Sequence, residues 1–373
     1  MPSIALSLSL RGQLLSATRT FSPISLFSAG EQGIWLDPSD LTTMFQDRAG
    51  TTPVTTPGQT VGKRLDKSGR GNHAVAPTDA ARPTYGIEPK TGRRNLLLAT
   101  DTMATQSLTV AAVAHTLAFT GTGTVTLTGA STAGPLVGTG ASNRVSLTFT
   151  PTAASLTLTV VGSVTLAQLE LGSTATAYQR VGTAFDVTEA GVATVHYVQY
   201  DGTDDSFSTS SIDFTATNKM SVFAGVRKLS DAAQGIVAEL SAIPTTNNGT
   251  FNLQAPSDAG FARYRFTSKG TVSSGNFVSG YAAPISNVLT GLGDISGDIA
   301  TFRINGIQVA QSTTDQGTGN FGNYPLFIGR RNNATVPFNG RDYGIIIVGK
   351  TASATEISST ESYLAANTSG VTL

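Results

Sequence analysis

The sequence predicts an all-β protein whose strands form sandwiches, with one helix at the C-terminal end. Apolar and polar residues alternate with a period of two in many short segments, and turn residues separate these segments. The 373 residues include 40 glycines but only 13% charged residues, and threonine is abundant. This composition is typical of short strands joined by tight turns. The length allows two or three domains.

The composition excludes several classes of function. The net charge is zero, so the chain offers no overall electrostatic attraction to nucleic acid or to an anionic membrane. The sequence contains no cysteine, which excludes disulfides, thiolate zinc sites and cysteine catalysis. No apolar run approaches the roughly 20 residues of a membrane helix. We therefore expect no nucleic-acid partner and no membrane insertion.

Residues 1–33 are predicted to form an N-terminal arm for anchoring or assembly. Ile4, Leu6, Leu8 and Leu10 occupy alternate positions, which predicts a strand with one apolar face. A single strand cannot bury that face alone, so it either pairs with another chain or forms the first strand of the main sandwich. No basic leader precedes the apolar run, so we expect no signal peptide and synthesis in the cytoplasm.

Residues 34–90 are predicted to begin the main sandwich. The apolar run 34–36 starts a strand, and we expect Trp35 to lie in the core rather than to form an exposed sugar platform. A short helix is predicted over residues 39–45, after acidic and hydroxyl side chains that can cap its first amides. The turn 68–72 contains two glycines, which adopt positive φ without steric cost.

Residues 91–182 are predicted to form a second, smaller sandwich inserted into the first. Threonine alternates with apolar residues in four runs, a pattern typical of all-β sandwiches. The runs cover residues 117–120, 125–128, 145–150 and 156–160. Aromatic residues are scarce in this segment, which favours a structural spacer over a sugar-binding module.

Residues 183–373 are predicted to complete the main sandwich. Asn305-Gly306 predicts a hairpin with a type I′ turn, and Ser353 with Glu356 forms a capping-box pattern that starts a helix reaching about residue 366. Strands are predicted over residues 195–200, 219–226, 235–240, 251–255, 262–267, 300–304, 325–329 and 344–348.

Several of these segments resemble known families. Residues 33–40, 65–74 and 200–207 resemble the opening strands of the concanavalin A-like (laminin-G-like) lectin sandwich found in bacteriophage virion proteins, although more than a hundred residues separate the last two segments here. Residues 326–330 and 338–343 resemble its closing strands. The ends of the inserted segment, Arg93–Leu98 and Ala167–Arg180, resemble a carbohydrate-binding-module-like jelly roll of phage tail and fibre proteins. The resemblance implies a concanavalin A-like sandwich from 34–90 plus 183–373, interrupted by a jelly-roll-like sandwich at 91–182.

The resemblance implies a non-enzymatic structural component of a bacteriophage particle, namely a tail or head fibre, a spike or a decoration protein. Its expected location is the virion, assembled in the host cytoplasm. Expected partners are other virion proteins through the N-terminal arm, further copies of the chain in a homo-oligomer such as a trimer, and a host surface glycan. The alternatives are a purely architectural virion protein without glycan binding and a polysaccharide depolymerase.

The sequence lacks recognisable catalytic constellations. Retaining glucanases need two carboxylates about 5 Å apart, which this type of fold supplies from a Glu-x-Asp-x-Glu strand, and no glutamate of the chain lies in such a motif. His73, His115 and His196 show no metal-ligand spacing, and no Gly-x-Ser-x-Gly motif occurs. We therefore predict that the protein is not an enzyme and that no catalytic residue or organic cofactor is present.

Asp201, Asp204 and Asp205 form an acidic cluster on a predicted tight loop. Calcium prefers several carboxylate and carbonyl oxygens, so these residues are the candidate metal ligands of the chain. The alternative is that they cap backbone amides of the turn itself, and the absence of a glutamate from the loop favours that alternative.

Two loops carry candidate glycan-binding residues. Arg330, Arg331 and Asn332 follow a predicted closing strand, and arginine can bind acidic sugars through its forked donors. Asn247 and Asn248 lie at a second loop tip. The alternative interpretations are a solvated turn for the first loop and a simple hairpin turn for the second.

Overall fold

The computed structural model describes residues 21–373, which form four β-sheets, one α-helix and two short 3₁₀-helices. The predicted strand over residues 4–10 lies outside the described residues. The helix α1 spans Ala354–Asn367, and the 3₁₀-helices span Pro23–Phe27 and Leu41–Thr43. None of the helices within the described range is both long enough and apolar enough to cross a membrane.

The strands fall into three consecutive groups along the chain. The first group comprises β1 (Gly33–Leu36), β2 (Met44–Phe45), β3 (Lys63–Arg64), β4 (Ala74–Val75) and β5 (Thr84–Pro89). The second comprises β6 (Gln106–Val110), β7 (His115–Gly121), β8 (Thr124–Gly129), β9 (Leu136–Val137), β10 (Gly140–Phe149), β11 (Ala154–Val161) and β12 (Val164–Leu171). The third comprises β13 (Gln179–Thr183), β14 (Asp186–Glu189), β15 (Thr194–Asp201), β16 (Phe207–Asp213), β17 (Lys219–Lys228), β18 (Ile236–Leu240), β19 (Thr250–Gln254), β20 (Arg263–Lys269), β21 (Ser273–Ser279), β22 (Ile285–Asp294), β23 (Ile299–Ile304), β24 (Ile307–Ser312), β25 (Asn323–Ile328) and β26 (Asn339–Val348).

The first and third groups together build two large sheets. The ten-stranded sheet has the order β13-β14-β5-β15-β26-β17-β22-β23-β24, with β1 also paired to β26, and the nine-stranded sheet has the order β2-β3-β4-β16-β25-β18-β19-β20-β21. Alternate side chains of both sheets, such as Val222 and Ile345 from one and Leu253 and Phe266 from the other, meet in a shared core. Two sheets therefore pack face to face, as the period of two predicts.

The second group of strands builds two smaller sheets, with the orders β10-β7-β12 and β6-β11-β8-β9. Their core contains Leu117, Phe119, Leu156, Leu158 and Leu169, all of which are 0% exposed. Within residues 21–373 these sheets share no hydrogen-bonded strand with the large ones. The exact domain boundaries, 91 and 182, stay a prediction.

The helix α1 covers the outer face of the ten-stranded sheet. Leu364 of the helix packs in one apolar cluster with Trp35 and Phe223. Trp35 is only 7% exposed, which confirms its predicted place in the core. Leu26 and Phe27 belong to the same cluster, so part of the segment predicted as an arm packs on the main sandwich.

Local sequence signals are confirmed at two places. Asn305 and Gly306 have φ values of 49° and 80° and join β23 to β24, as a type I′ turn requires. Ser353 and Glu356 form the predicted capping box of α1. The helix predicted over residues 39–45 is instead a single 3₁₀ turn, in which the Asp40 carboxylate accepts hydrogen bonds from both the amide and the hydroxyl of Thr42.

Candidate functional site

Two of the predicted functional loops meet at one end of the main sandwich. Asp201, the last residue of β15, pairs with Asn339, the first residue of β26, so the loop 201–206 lies beside the loop 329–338. Gly329 allows this approach because its φ is 82° and a Cβ atom there would lie 2.4 Å from the Tyr200 ring.

The loop 201–205 brings its three carboxylates together. Ligand oxygens of Asp201, Asp204 and Asp205 lie within 4.8 Å of one another. Part of their bonding capacity caps the turn, because Asp201 Oδ1 accepts the amide of Thr203 at 2.7 Å and Asp205 Oδ2 accepts the amide of Asp201 at 3.0 Å. The remaining carboxylate oxygens suit a hard cation such as calcium, so both predicted roles are compatible with this geometry.

Asp205 is the group of this loop that is most affected by its surroundings. Asp205 is only 8% exposed. Burial and the neighbouring charges of Asp201 and Asp204 raise the pKa of its carboxyl to about 7. A proton or a bound cation would relieve the repulsion in this loop, so we expect its ionisation to depend on both pH and calcium.

Arg331 is held in an ion pair rather than being directed to solvent. Its Nη2 lies 2.7 Å from Glu239 Oε2, and its Nε donates to both carboxylate oxygens at 3.0 Å. Glu239 lies on β18 and is fully buried. Burial raises the pKa of the Glu239 carboxyl, and Arg331 opposes that rise. Arg331 therefore fastens the loop to the outer face of the nine-stranded sheet.

Arg330 and Asn332 occupy the turn beyond this ion pair. Asn332 and its neighbour Asn333 have φ values of 49° and 52°, in the left-handed region that asparagine tolerates. Arg330 Nη1 donates to the backbone oxygen of Asn333 at 3.2 Å. Asn333 Nδ2 donates to Ser208 Oγ at 3.1 Å. In the part of the chain that the structure describes, Arg330 Nε and Asn333 Oδ1 are buried without a hydrogen-bond partner.

The loop that contains Asn247 and Asn248 lies at the opposite end of the sheet. Strands β18 and β25 are antiparallel and pair Leu240 with Leu326, so the loop after β18 and the loop after β25 leave the sheet in opposite directions. Asn247 Nδ2 donates to Ser241 Oγ at 2.7 Å, and Asn248 is exposed. The structure therefore does not combine the two predicted glycan-binding loops into one site.

The outer face of the nine-stranded sheet carries polar residues that the sequence analysis did not select. The residues alternate with core positions along β19 and β20, and the register places Asn252 opposite Thr267 and Gln254 opposite Arg265. Within the described range, Asn252 Oδ1, Gln254 Oε1, Thr267 Oγ1 and Arg265 Nε are buried and lack a hydrogen-bond partner. Gln254 is 1% exposed. The period-two alternation of 251–255 and 263–267 was the available signal for this face.

Among residues 21–373, Arg265 is a cation of this outer face without a paired carboxylate. Arg263 pairs with Asp258 at 2.6 Å and Arg331 pairs with Glu239, whereas Arg265 has no carboxylate within 4 Å among residues 21–373. Its guanidinium carbon lies 4.5 Å from the centroid of the Phe277 ring. Burial lowers the pKa of Arg265, the charge of Asp258 opposes that change, and the charges of Arg331 and Arg263 add to it. The arrangement offers forked donors and an aromatic ring to a polar, negatively charged ligand.

Comparison with known proteins supports the fold. Residues 201–358 match the family model Laminin_G_3, described as the Concanavalin A-like lectin/glucanases superfamily, which is less than half of the chain. The predicted all-β fold with a concanavalin A-like sandwich is confirmed. No curated protein sequence matches the chain.

Similar solved structures are distant. The Ruminococcus gnavus IT-sialidase CBM40 has 14% identity and a TM-score of 0.32, over 39% of this chain and 84% of that chain. The Botulinum Neurotoxin Type G Receptor Binding Domain has 13% identity and a TM-score of 0.35, over 45% of this chain and 42% of that chain. The chain thus spans less than half of the botulinum domain, and TM-scores this low support no inference about ligands.

Proposed function

We propose that this chain is a non-enzymatic structural component of a bacteriophage particle that binds acidic glycans of the host through the outer face of its nine-stranded sheet. The observation that carries the glycan proposal is Arg265, a half-buried guanidinium with no carboxylate partner in the described chain, held beside unpartnered amide and hydroxyl oxygens. The lectin description of the matched family supports a carbohydrate ligand.

The chemistry of the face favours an acidic sugar over a neutral one. A carboxylate or sulfate can take two parallel hydrogen bonds from a guanidinium. Gln254 Oε1 and Asn252 Oδ1 are buried on the same face, so direct contact with a sugar falls to the Arg265 guanidinium and to the exposed rings. Phe277 is 47% exposed and Phe261 is 53% exposed. The Arg263 guanidinium lies over both rings and the Arg265 guanidinium over Phe277, so a sugar would pack on the part of each ring that the arginines leave open.

The virion role rests on the sequence resemblances at 33–40, 65–74, 200–207 and 167–180. A particle with many copies of the chain could sum weak single-site affinities by multivalency. Rigid sandwiches also allow loops at their ends to vary without disturbing the core. Homo-oligomerisation and attachment through the N-terminal segment remain parts of the same proposal.

The glycan proposal is tested on an array that presents sialylated, uronate-containing and sulfated glycans beside their neutral parent sugars. We expect the wild-type chain to prefer acidic members, and Arg265→Ala to weaken that binding roughly tenfold or more, because a charge-assisted hydrogen bond contributes about 1.5–3 kcal/mol. Arg144→Ala is the matched control, since Arg144 also has a buried, unpartnered Nε within the described chain but lies in the smaller sandwich.

Three outcomes would contradict the glycan proposal: equal binding of acidic and neutral members, no effect of Arg265→Ala, or no binding by multivalent wild-type protein. Release of reducing ends from a bound polysaccharide would contradict the non-enzymatic assignment and favour a depolymerase. Immunogold labelling of purified virions tests the particle role separately. Label on fibres or the tail tip supports host attachment, label over the head supports decoration, and absence of label contradicts a virion protein.

A further inference from the structure

A cavity lies where the two sandwiches meet. Its volume is about 370 Å³, close to the lower end of the range for small-molecule sites. One wall belongs to β13 and β14 at the edge of the ten-stranded sheet, and Asp101 comes from the connection that leads into the smaller sandwich. The lining residues are Asp101, Tyr178, Arg180, Thr188, Glu189 and Ala190.

The polar groups around this cavity are held in place by one another. Arg180 Nε donates to Asp101 Oδ2 at 3.1 Å, and Arg180 Nη1 donates to Asp186 Oδ2 at 2.8 Å. The Tyr178 hydroxyl donates to Asp101 Oδ1 at 3.3 Å. A ligand would therefore meet groups that are already oriented, which lowers the entropic cost of binding.

The charge balance of the cavity differs from that of the outer face. Arg180 bridges two carboxylates, and Glu189 is bound by Arg94 through Nη1 at 2.8 Å and Nη2 at 2.6 Å. Arg94 and Arg180 thus already have acidic partners, so the described residues around this cavity offer an acidic ligand no free positive charge. Carboxylate oxygens of Asp101 and Glu189 can still accept hydrogen bonds from neutral hydroxyl groups, since each oxygen has two lone pairs.

Tyr178 supplies an apolar surface to the same cavity. Its side chain is half-buried and lines the wall, where an aromatic ring can pack against the C–H face of a pyranose. We propose that this cavity binds a neutral mono- or disaccharide, with Tyr178 as the stacking residue and Asp101, Arg180 and Thr188 as hydrogen-bonding residues. The proposal rests on the glycan-binding function above and extends it to a second site with the opposite charge preference.

The test uses the full chain and saturation-transfer NMR titrations with methyl glycosides of glucose, galactose and mannose, N-acetylglucosamine and maltose. We expect at least one of these neutral sugars to bind, and Tyr178→Ala to weaken that binding roughly tenfold. Tyr178→Phe keeps the ring and should remain within about threefold of wild type, because it removes only the two long hydrogen bonds of the hydroxyl, with Asp101 and Thr100 at 3.3 Å each. Tyr324→Ala, which removes a partly buried tyrosine of β25 in the nine-stranded sheet, is the matched control and should not change neutral-sugar binding.

A blocking variant separates loss of binding from loss of folding. Ala190 is exposed at the rim of the cavity, so Ala190→Trp should fill the cavity, abolish binding of the neutral sugar and leave the melting temperature unchanged. Acidic-glycan binding should survive Tyr178→Ala and Ala190→Trp but not Arg265→Ala.

The two glycan sites can fail independently. If no neutral sugar binds, or if Tyr178→Ala and Ala190→Trp leave neutral-sugar binding intact, the cavity proposal is overturned even where acidic glycans still bind the outer face. If Arg265→Ala abolishes the binding of both sugar classes, one face takes both and the cavity proposal is also overturned. Neutral-sugar binding through Tyr178 in a chain that ignores acidic glycans would support the cavity and contradict the outer-face proposal.

Discussion

The carboxyl group of Asp205 should give the main sandwich a pH-dependent stability of defined sign. Its pKa in the folded chain is raised to about 7, from 3.8, by burial and by the charges of Asp201 and Asp204. The folded state therefore holds this proton more tightly than the unfolded state does. The free energy of unfolding should fall as the pH rises from about 4 to about 7, and the loss should be complete above pH 7.

The substitution Asp205→Asn isolates this contribution. Asparagine keeps an oxygen that can accept the amide of Asp201, as Asp205 does at 3.0 Å, but it carries no charge. The difference between pKa values of 3.8 and about 7 corresponds to about 4 kcal/mol at 1.36 kcal/mol per pKa unit. Because solvent near the loop screens part of the repulsion, we expect Asp205→Asn to stabilise the chain by about 2 kcal/mol at pH 8 and to have no effect near pH 4.

Bound calcium should make the deprotonated Asp205 loop stabilising instead of destabilising. A cation bound by the deprotonated loop stabilises the folded state by about 2.7 kcal/mol at a concentration of 100 Kd, so calcium should raise the stability of the wild type at pH 8. It should do so less at pH 5, where Asp205 is protonated, and not at all in Asp205→Asn.

The assay is urea unfolding followed by circular dichroism from pH 4 to pH 8.5, with calcium chloride, magnesium chloride or a chelator. Asp79→Asn, which alters an exposed carboxylate in an ion pair with Arg82, is the control for loss of one negative charge. Parallel pH profiles for wild type and Asp205→Asn would refute the argument from burial and repulsion. A normal pH profile without any calcium effect would refute only the metal site and leave the turn-capping interpretation.

Three further substitutions test the packing. Arg331→Ala should lower the free energy of unfolding in urea by about 3 kcal/mol or more, because it leaves the fully buried Glu239 without its partner. Adding Glu239→Gln should recover part of that loss. A loss below about 1 kcal/mol would contradict a structural role for Arg331. Leu156→Ala, in the core of the smaller sandwich, should cost about 3 kcal/mol, and a neutral result would contradict the described packing. Phe27→Ala should lower the free energy of unfolding of the main sandwich by about 3 kcal/mol, since Phe27 is 3% exposed. Unchanged stability would show that this segment does not contribute to the fold.

Local sequence patterns were sufficient to predict many of the structural elements. The turn at Asn305-Gly306 and the capping box at Ser353 depend on residues within four positions of one another, so the chain specifies them without distant contacts. The prediction of a short helix over residues 39–45 was wrong in length, and the reason is also local. Asp40 bonds both the amide and the hydroxyl of Thr42, and this side-chain capping competes with further helical turns.

The candidate sites also contain some contacts that local sequence predicts and others that it does not. Asp201, Asp204 and Asp205 lie within five residues, so their proximity followed directly from the sequence, although the degree of burial that raises the pKa of Asp205 did not. The pairing of Arg331 with Glu239 joins residues 92 positions apart. No local pattern distinguishes an arginine that binds a buried carboxylate from one that faces solvent.

The sequence by itself determined the all-β class, the position of the C-terminal helix and the two faces of each strand, because these depend on a period of two and on short-range capping and turn chemistry. Only the tertiary structure decided which polar residues are brought together. Strand order sets β18, β19 and β20 side by side, which places Arg265 beside Gln254 and leaves both on a face away from the core. It also brings Asp101 to Tyr178, 77 residues later in the chain. Such contacts depend on the register of distant strands, and that register is set by the packing of the whole core rather than by any local segment.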